Sequence, residues 1–139
     1  MDRVMMKHHV LCTCLGAFVL AAGAAGTGLA TERVTLDLNG TWQYQPTESL
    51  DGAPNPDAWR DRAVPGYVRG DDYQRAWFRR EFTVPAAMAG KRLKLRFGGV
   101  KYNSRVLLNG QHVGGCFGGY RPFEVDVTDA VRVDGPNEL

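Results

Sequence analysis

Past residue 30 the apolar positions recur every second residue. Leu93, Leu95 and Phe97 alternate with Arg92, Lys94 and Arg96, the pattern of a strand with one dry face and one wet face. Val125 and Val127 alternate with Glu124 and Asp126 in the same way. Phe78, Phe82 and Val84 share a side opposite Arg79, Glu81 and Thr83, although Arg80 interrupts the apolar side and Trp77 the polar one. These runs are β-branched or aromatic, and they end at Gly, Pro or Asn.

The connections are short. Asn109-Gly110, between Val106-Leu107-Leu108 and Gln111-His112-Val113, predicts a two-residue hairpin, because both central residues of that turn need φ > 0. Asn39-Gly40 predicts a second hairpin between Val34–Leu38 and Thr41–Gln45. Pro46 to Pro56 reads as a polar surface loop, Asp57 to Arg60 as one helical turn, Ala86 to Gly90 as a brief connection, and Thr128 to Val131 as a single turn. The Gly114-Gly115 and Gly118-Gly119 pairs predict bends or bulges, since no Gly-Lys-Ser/Thr follows to make a phosphate loop. Tyr120-Arg121-Pro122-Phe123 predicts a corner. With no amphipathic helix of ten residues, the fold class is all-β: an antiparallel β-sandwich, with the lectin-like jelly roll as its form with a binding role.

The first thirty residues follow another rule. Arg3 and Lys7 precede an apolar run from Val10 to Ala25, then the small-residue sites Ala22-Gly23-Ala24 and Gly28-Leu29-Ala30. This is the layout of a secretory signal peptide, shorter than the roughly 20 apolar residues of a membrane span. Residues 1–30 are therefore expected to be a leader and residues 31–139 the domain. The product is expected to be exported, periplasmic or extracellular, without a stable membrane anchor. Its 17 Lys and Arg against 15 Asp and Glu leave no basic excess to recruit a nucleic acid. Cys12 and Cys14 would leave with the leader, so Cys116 would stand alone and no internal disulfide is expected.

Taken in order, these pieces resemble the N-terminal sugar-binding domain of glycoside hydrolase family 2, which includes β-galactosidases, β-glucuronidases and β-mannosidases. The resemblance is carried by Leu38-Asn39-Gly40-Thr41-Trp42, Val64-Pro65-Gly66, Ala76 to Pro85, Phe97-Gly98-Gly99-Val100, Asn109-Gly110 with Val113-Gly114, and Gly118 to Phe123. Asp126-Val127-Thr128-Asp129 and Gly135-Pro136-Asn137-Glu138-Leu139 complete it. It implies a galactose-binding-domain-like jelly roll whose last strand continues past Leu139. In the family an immunoglobulin-like domain and a (β/α)8 barrel with the catalytic carboxylates follow. The resemblance implies a carbohydrate partner, a catalytic-domain partner, no cofactor, and no catalysis by residues 31–139 alone. A stand-alone exported carbohydrate-binding or adhesion module is the alternative, and a sandwich for protein contacts a third reading.

Candidate chemistry is sparse. Glycoside hydrolysis needs two carboxyl groups about 5–5.5 Å or about 6.5–9.5 Å apart. Glu124 and Asp126 lie on one strand face at about 6–7 Å, but no apolar pocket is evident to make either an acid, and a solvated face explains them. Asp71, Asp72 and Tyr73 lie between Val-Pro-Gly and the Trp77 strand. By the family resemblance this loop reaches toward the barrel, where a carboxylate could accept sugar hydroxyls and a tyrosine could stack on a pyranose. A plain surface turn is the competing reading. His112 has no companion at metal-ligand spacing, and neither Ser49 nor Ser104 sits in a nucleophile elbow. Cys116 reads as a small packed residue, and Trp42, Trp59 and Trp77 as core or interdomain packing. Asn39-Gly40-Thr41 also fits a glycosylation sequon.

Overall fold

The computed structural model describes residues 10–15, 33–66 and 75–139. Eleven strands account for most of them: β1 (Val10–Leu15), β2 (Val34–Asp37), β3 (Gly40–Thr47), β4 (Arg60–Val64), β5 (Arg75–Arg79), β6 (Glu81–Thr83), β7 (Arg92–Phe97), β8 (Ser104–Leu108), β9 (Gln111–Cys116), β10 (Phe123–Asp126) and β11 (Pro136–Glu138). The only helical element among the described residues is the short 3-10 turn Ala86–Met88. All named strand pairs are antiparallel. The fold is the all-β antiparallel sandwich that the period-two pattern predicts, in the galactose-binding-like form that the family resemblance implies.

One sheet runs β10-β7-β1-β2, another β4-β3-β5, with the pairs β11-β6 and β8-β9 completing the layers. β1 lies within the expected leader and sits between β7 and β2 in its sheet. The core forms between layers. Leu93, Leu95 and Phe97 of β7 and Val125 and Val127 around β10 meet Leu38, Trp42, Val84, Met88, Val106 and Leu108. Each fully buried Leu or Val there contributes about 1.5–3 kcal/mol by leaving water. The Trp42 ring is buried with its indole N–H donating to the Leu38 carbonyl at 2.8 Å, which satisfies its one polar atom.

The Asn109-Gly110 hairpin is present as read. Both residues have positive φ, 53° and 81°, and Leu108 faces Gln111 across the turn. In β9 a bulge makes Val113 an extra residue, because Val106 pairs Gly114 while Leu107 pairs His112. Thr128 to Val131 forms the expected turn, with both the Ala130 and Val131 N–H groups donating to the Val127 carbonyl.

Three local readings are corrected. Asn39-Gly40 makes no hairpin: β2 pairs β1 whereas β3 pairs β4 and β5, so the chain changes sheets there. The side-chain oxygen of Asp37 accepts the Asn39 N–H at 2.8 Å and guides that change of direction. Asp57 to Arg60 is a non-helical turn leading into β4, closed by the Ala58 N–H donating to the Asn55 carbonyl. The proline-rich loop starts two residues later than the composition suggests, because β3 runs to Thr47. Buried Gln45 then clamps that loop, donating to the Asn55 carbonyl at 2.6 Å and accepting the Asn55 N–H at 2.8 Å.

At the C-terminal end, Pro136-Asn137-Glu138 is strand. β11 pairs β6, and Leu139 exchanges both backbone hydrogen bonds with Arg80, at 2.8 and 2.9 Å. Arg80 separates β5 from β6, which explains the broken alternation in the sequence. Its guanidinium reaches the Thr41 carbonyl rather than the core.

Candidate functional site

Asp71, Asp72 and Tyr73, the substrate-adjacent residues expected from the sequence, lie outside the described residues, but both anchors of their loop are described. β4 and β5 flank β3 and are both antiparallel to it, so they run parallel to each other. β4 therefore ends beside Gly40 at one end of β3, and β5 begins beside Thr47 at the other. At the departure, a Cβ on Gly66 would stand 2.4 Å from the Ala63 carbonyl oxygen, so only glycine fits the bend. At the return, Arg75 donates to the Glu48 carbonyl at 3.0 Å.

Beside this connection the β4-β3-β5 sheet carries arginines stacked on aromatic rings. The Arg79 guanidinium lies 4.5 Å from the Trp59 ring centre, donates to the Gln43 side chain, and pairs Glu138 at 3.6 Å. Arg62 lies 5.0 Å from the Tyr44 ring, which contacts Phe78 at 5.5 Å. Trp59 and Trp77 are half-buried, unlike Trp42. These packed cations stiffen the sheet that holds the loop.

The carboxylates of β10 are structural. Glu124 pairs Lys94 at 3.1 Å and Asp126 pairs Arg92 at 2.7 Å on an exposed face. Hydrogen bonds from the Thr128 hydroxyl, Arg92 and the Thr128 N–H hold the Asp126 carboxyl at about 2, below its ordinary 3.8. That is the opposite of what a general acid near neutral pH requires. The Thr128 hydroxyl also accepts the Leu93 N–H at 3.0 Å, so the Asp-Val-Thr-Asp segment ties β10 to β7. Because the folded value is depressed, Asp126 stabilises the fold above pH 3.8, and this is lost as pH falls toward 2. The group is exposed, so its contribution is below about 1 kcal/mol. Acid titration of thermal stability should therefore flatten slightly between those limits in Asp126→Asn.

His112 is exposed on the hairpin arm, and Cys116 is a free, half-buried thiol. Ser104 caps strand pairing instead of acting as a nucleophile: its hydroxyl accepts the Cys116 N–H at 3.1 Å.

Sequence reasoning passes over one cluster. The β7–β8 loop (residues 98–103) and the β9–β10 loop (residues 117–122) lie side by side and present Tyr102, Phe117 and Tyr120 to solvent at 60%, 83% and 51% exposure. The tyrosine rings meet edge to face at 5.9 Å. The signal was in the sequence: Phe117 and Tyr120 stand among glycines, outside any alternating strand pattern, where no core can take them.

A β-sandwich with long loops, structural carboxylates and exposed aromatic loop tips belongs to the class of carbohydrate-associated galactose-binding-like domains. Residues 59–139 match the family described as glycosyl hydrolase 2, galactose-binding domain-like, and the chain belongs to that family. A β-galactosidase of Bacteroides ovatus is 36% identical over 104 residues, covering 75% of this chain and 11% of that protein. A β-glucuronidase of Paenibacillus borealis is 31% identical over 87 residues, 63% of this chain and 14% of that protein. The solved β-glucuronidase of Faecalibacterium prausnitzii superposes with a TM-score of 0.64 at 34% identity, over 75% of this chain and 20% of that one. The chain thus spans less than a fifth of the curated relatives it matches.

Proposed function

We propose that this sugar-binding-type domain is the non-catalytic wall of an exported, retaining β-glycosidase and works against a catalytic domain that supplies the cleaving carboxylates. One observation carries the reading: within a chain of this family, Glu124 and Asp126, the pair that strand period brings to one face, are each paired with a cation on the neighbouring strand. The relatives are β-glucuronidases and β-galactosidases, which supports a terminal β-linked pyranoside as the substrate of the complete enzyme. In this reading residues 1–30 direct export, their cleavage takes β1 out from between β7 and β2, and N-terminal sequencing of the exported product should begin at Thr31.

In this reading the loop from Tyr67 to Gln74 leans over the sugar subsite, with Asp71 or Asp72 accepting sugar hydroxyls and Tyr73 stacking on the ring. A hydrogen bond to a charged acceptor is worth about 1.5–3 kcal/mol, which corresponds to roughly 10- to 100-fold in rate. Asp71→Ala or Asp72→Ala in the complete enzyme should lower kcat/KM by such a factor without changing thermal stability. Unchanged kinetics in both variants would remove the loop from the site.

A further inference from the structure

We infer that Tyr102, Phe117 and Tyr120 form a second carbohydrate contact, a stacking platform for acidic glycans built from other residues than the proposed subsite at residues 67–74. Three exposed aromatic rings on two adjacent loops are costly to leave in water unless something covers them. They are also held in place. The Gly118 N–H donates to the Asn103 side chain at 3.1 Å, tying one loop to the other. Arg121 donates to the Phe117 carbonyl at 3.4 Å within the second loop. A Cβ on Gly119 would stand 3.3 Å from the Tyr102 ring, so the loops touch there without a side chain between them.

Tyr120 adopts φ of 69°, a left-handed conformation that costs a non-glycine residue energy. The structure maintains it with the Tyr120 ring in edge contact with Tyr102 and half in solvent. Such fixed rings lose little entropy when a ligand stacks on them. A pyranose presents an apolar C–H face that matches a ring of this size, as well as hydroxyls for the phenol groups.

Charge selects among sugars. The loops at 98–103 and 117–122 contain Lys101 and Arg121 and no carboxylate. The Lys101 ammonium lies over the Tyr102 ring, 5.1 Å from its centre, and Arg121 donates to the Phe117 carbonyl, so both cations belong to the platform. The nearest acid in sequence, Glu124, is held by Lys94 on the sheet. A ring that offers both an apolar face and a carboxylate, a uronic acid within a glycan chain, fits this combination better than a neutral sugar.

The test is binding without hydrolysis, so its outcome is independent of the catalytic reading. The 139-residue chain is titrated by calorimetry with an oligosaccharide of alternating β-linked glucuronic acid and N-acetylglucosamine, and with a neutral β-linked glucose oligosaccharide of equal length. The acidic oligosaccharide should bind at least tenfold more tightly, and added salt should erode that difference. Phe117→Ala and Tyr102→Ala should each weaken binding about tenfold at unchanged melting temperature. Lys101→Gln with Arg121→Gln should equalise the two oligosaccharides. Equal binding of both, no binding of either, or undiminished affinity in the normally folded Phe117→Ala variant would overturn the inference. The last two outcomes would leave the aromatic patch to a protein partner.

Discussion

Replacing Asn137 by leucine is expected to lower unfolding stability by about 3 kcal/mol or more, as buried polar groups lose their partners. The side chain is 2% exposed, and all four of its hydrogen-bonding positions are used. Its amide donates to the Arg132 carbonyl at 2.7 Å and the Gly135 carbonyl at 3.1 Å. Its oxygen accepts the Arg132 N–H at 2.7 Å and the Asn109 amide at 3.0 Å. Asn109 in turn donates to the Ala130 carbonyl and accepts the Glu138 N–H. Two asparagines 28 residues apart in sequence thus fasten the β8–β9 hairpin to β11. Leucine is close in size, so the loss would come from orphaned backbone groups and not from a cavity. At about 4–8 °C per kcal/mol for a domain of this size, thermal unfolding should fall by more than about 12 °C. Asn137→Asp should also destabilise, because an anion would face two carbonyls, and acid should partly relieve it. A fall of less than about 2 °C for Asn137→Leu would contradict this role.

Gly115→Ala is expected to rank next, at about 2–3 kcal/mol, the scale of a forced overpacking. A Cβ there would stand 2.0 Å from the Ser104 carbonyl oxygen and 3.0 Å from its carbon, both backbone atoms that cannot swing aside. β8 and β9 would have to separate, breaking the Ser104–Cys116 hydrogen bond and disturbing the loops that carry Tyr102 and Phe117. Gly52→Ala is the control, because nothing lies within 4 Å of its added carbon. That change should be neutral or slightly stabilising, since it only narrows the unfolded ensemble. Equal melting temperatures for the two variants would show that the close approach at Gly115 is relieved at no cost.

These two residues also show what the sequence could and could not disclose. Alternation at Leu93, Leu95 and Phe97, and again at Val125 and Val127, is a local property of extended chain, and it identified buried faces without any knowledge of neighbours. Asn109-Gly110 announced its hairpin because the turn's dihedrals are satisfied by those two residues alone. Asn39-Gly40 carried the same dipeptide and misled, because pairing partners are chosen by tertiary contacts that a dipeptide cannot specify. The second task of Asn109, bonding Asn137, was equally invisible: it depends on residues far along the chain.

The family motifs separate in the same way. Asp126-Val127-Thr128 and Gly135-Pro136-Asn137 do structural work, in the Asp126–Thr128 turn and the Asn137 bonds respectively. The exposed aromatics were legible only by elimination, as side chains with no strand face to occupy.

The most direct measurement exposes the purified 139-residue chain, without any catalytic domain, to chromogenic β-glucuronides and β-galactosides. Expected is no turnover above buffer at any pH between 4 and 8, with the complete enzyme hydrolysing at least one of them. Robust hydrolysis by the isolated chain, abolished by Glu124→Gln or Asp126→Asn, would contradict a wall that lends shape and contacts while the cleaving carboxylates come from elsewhere.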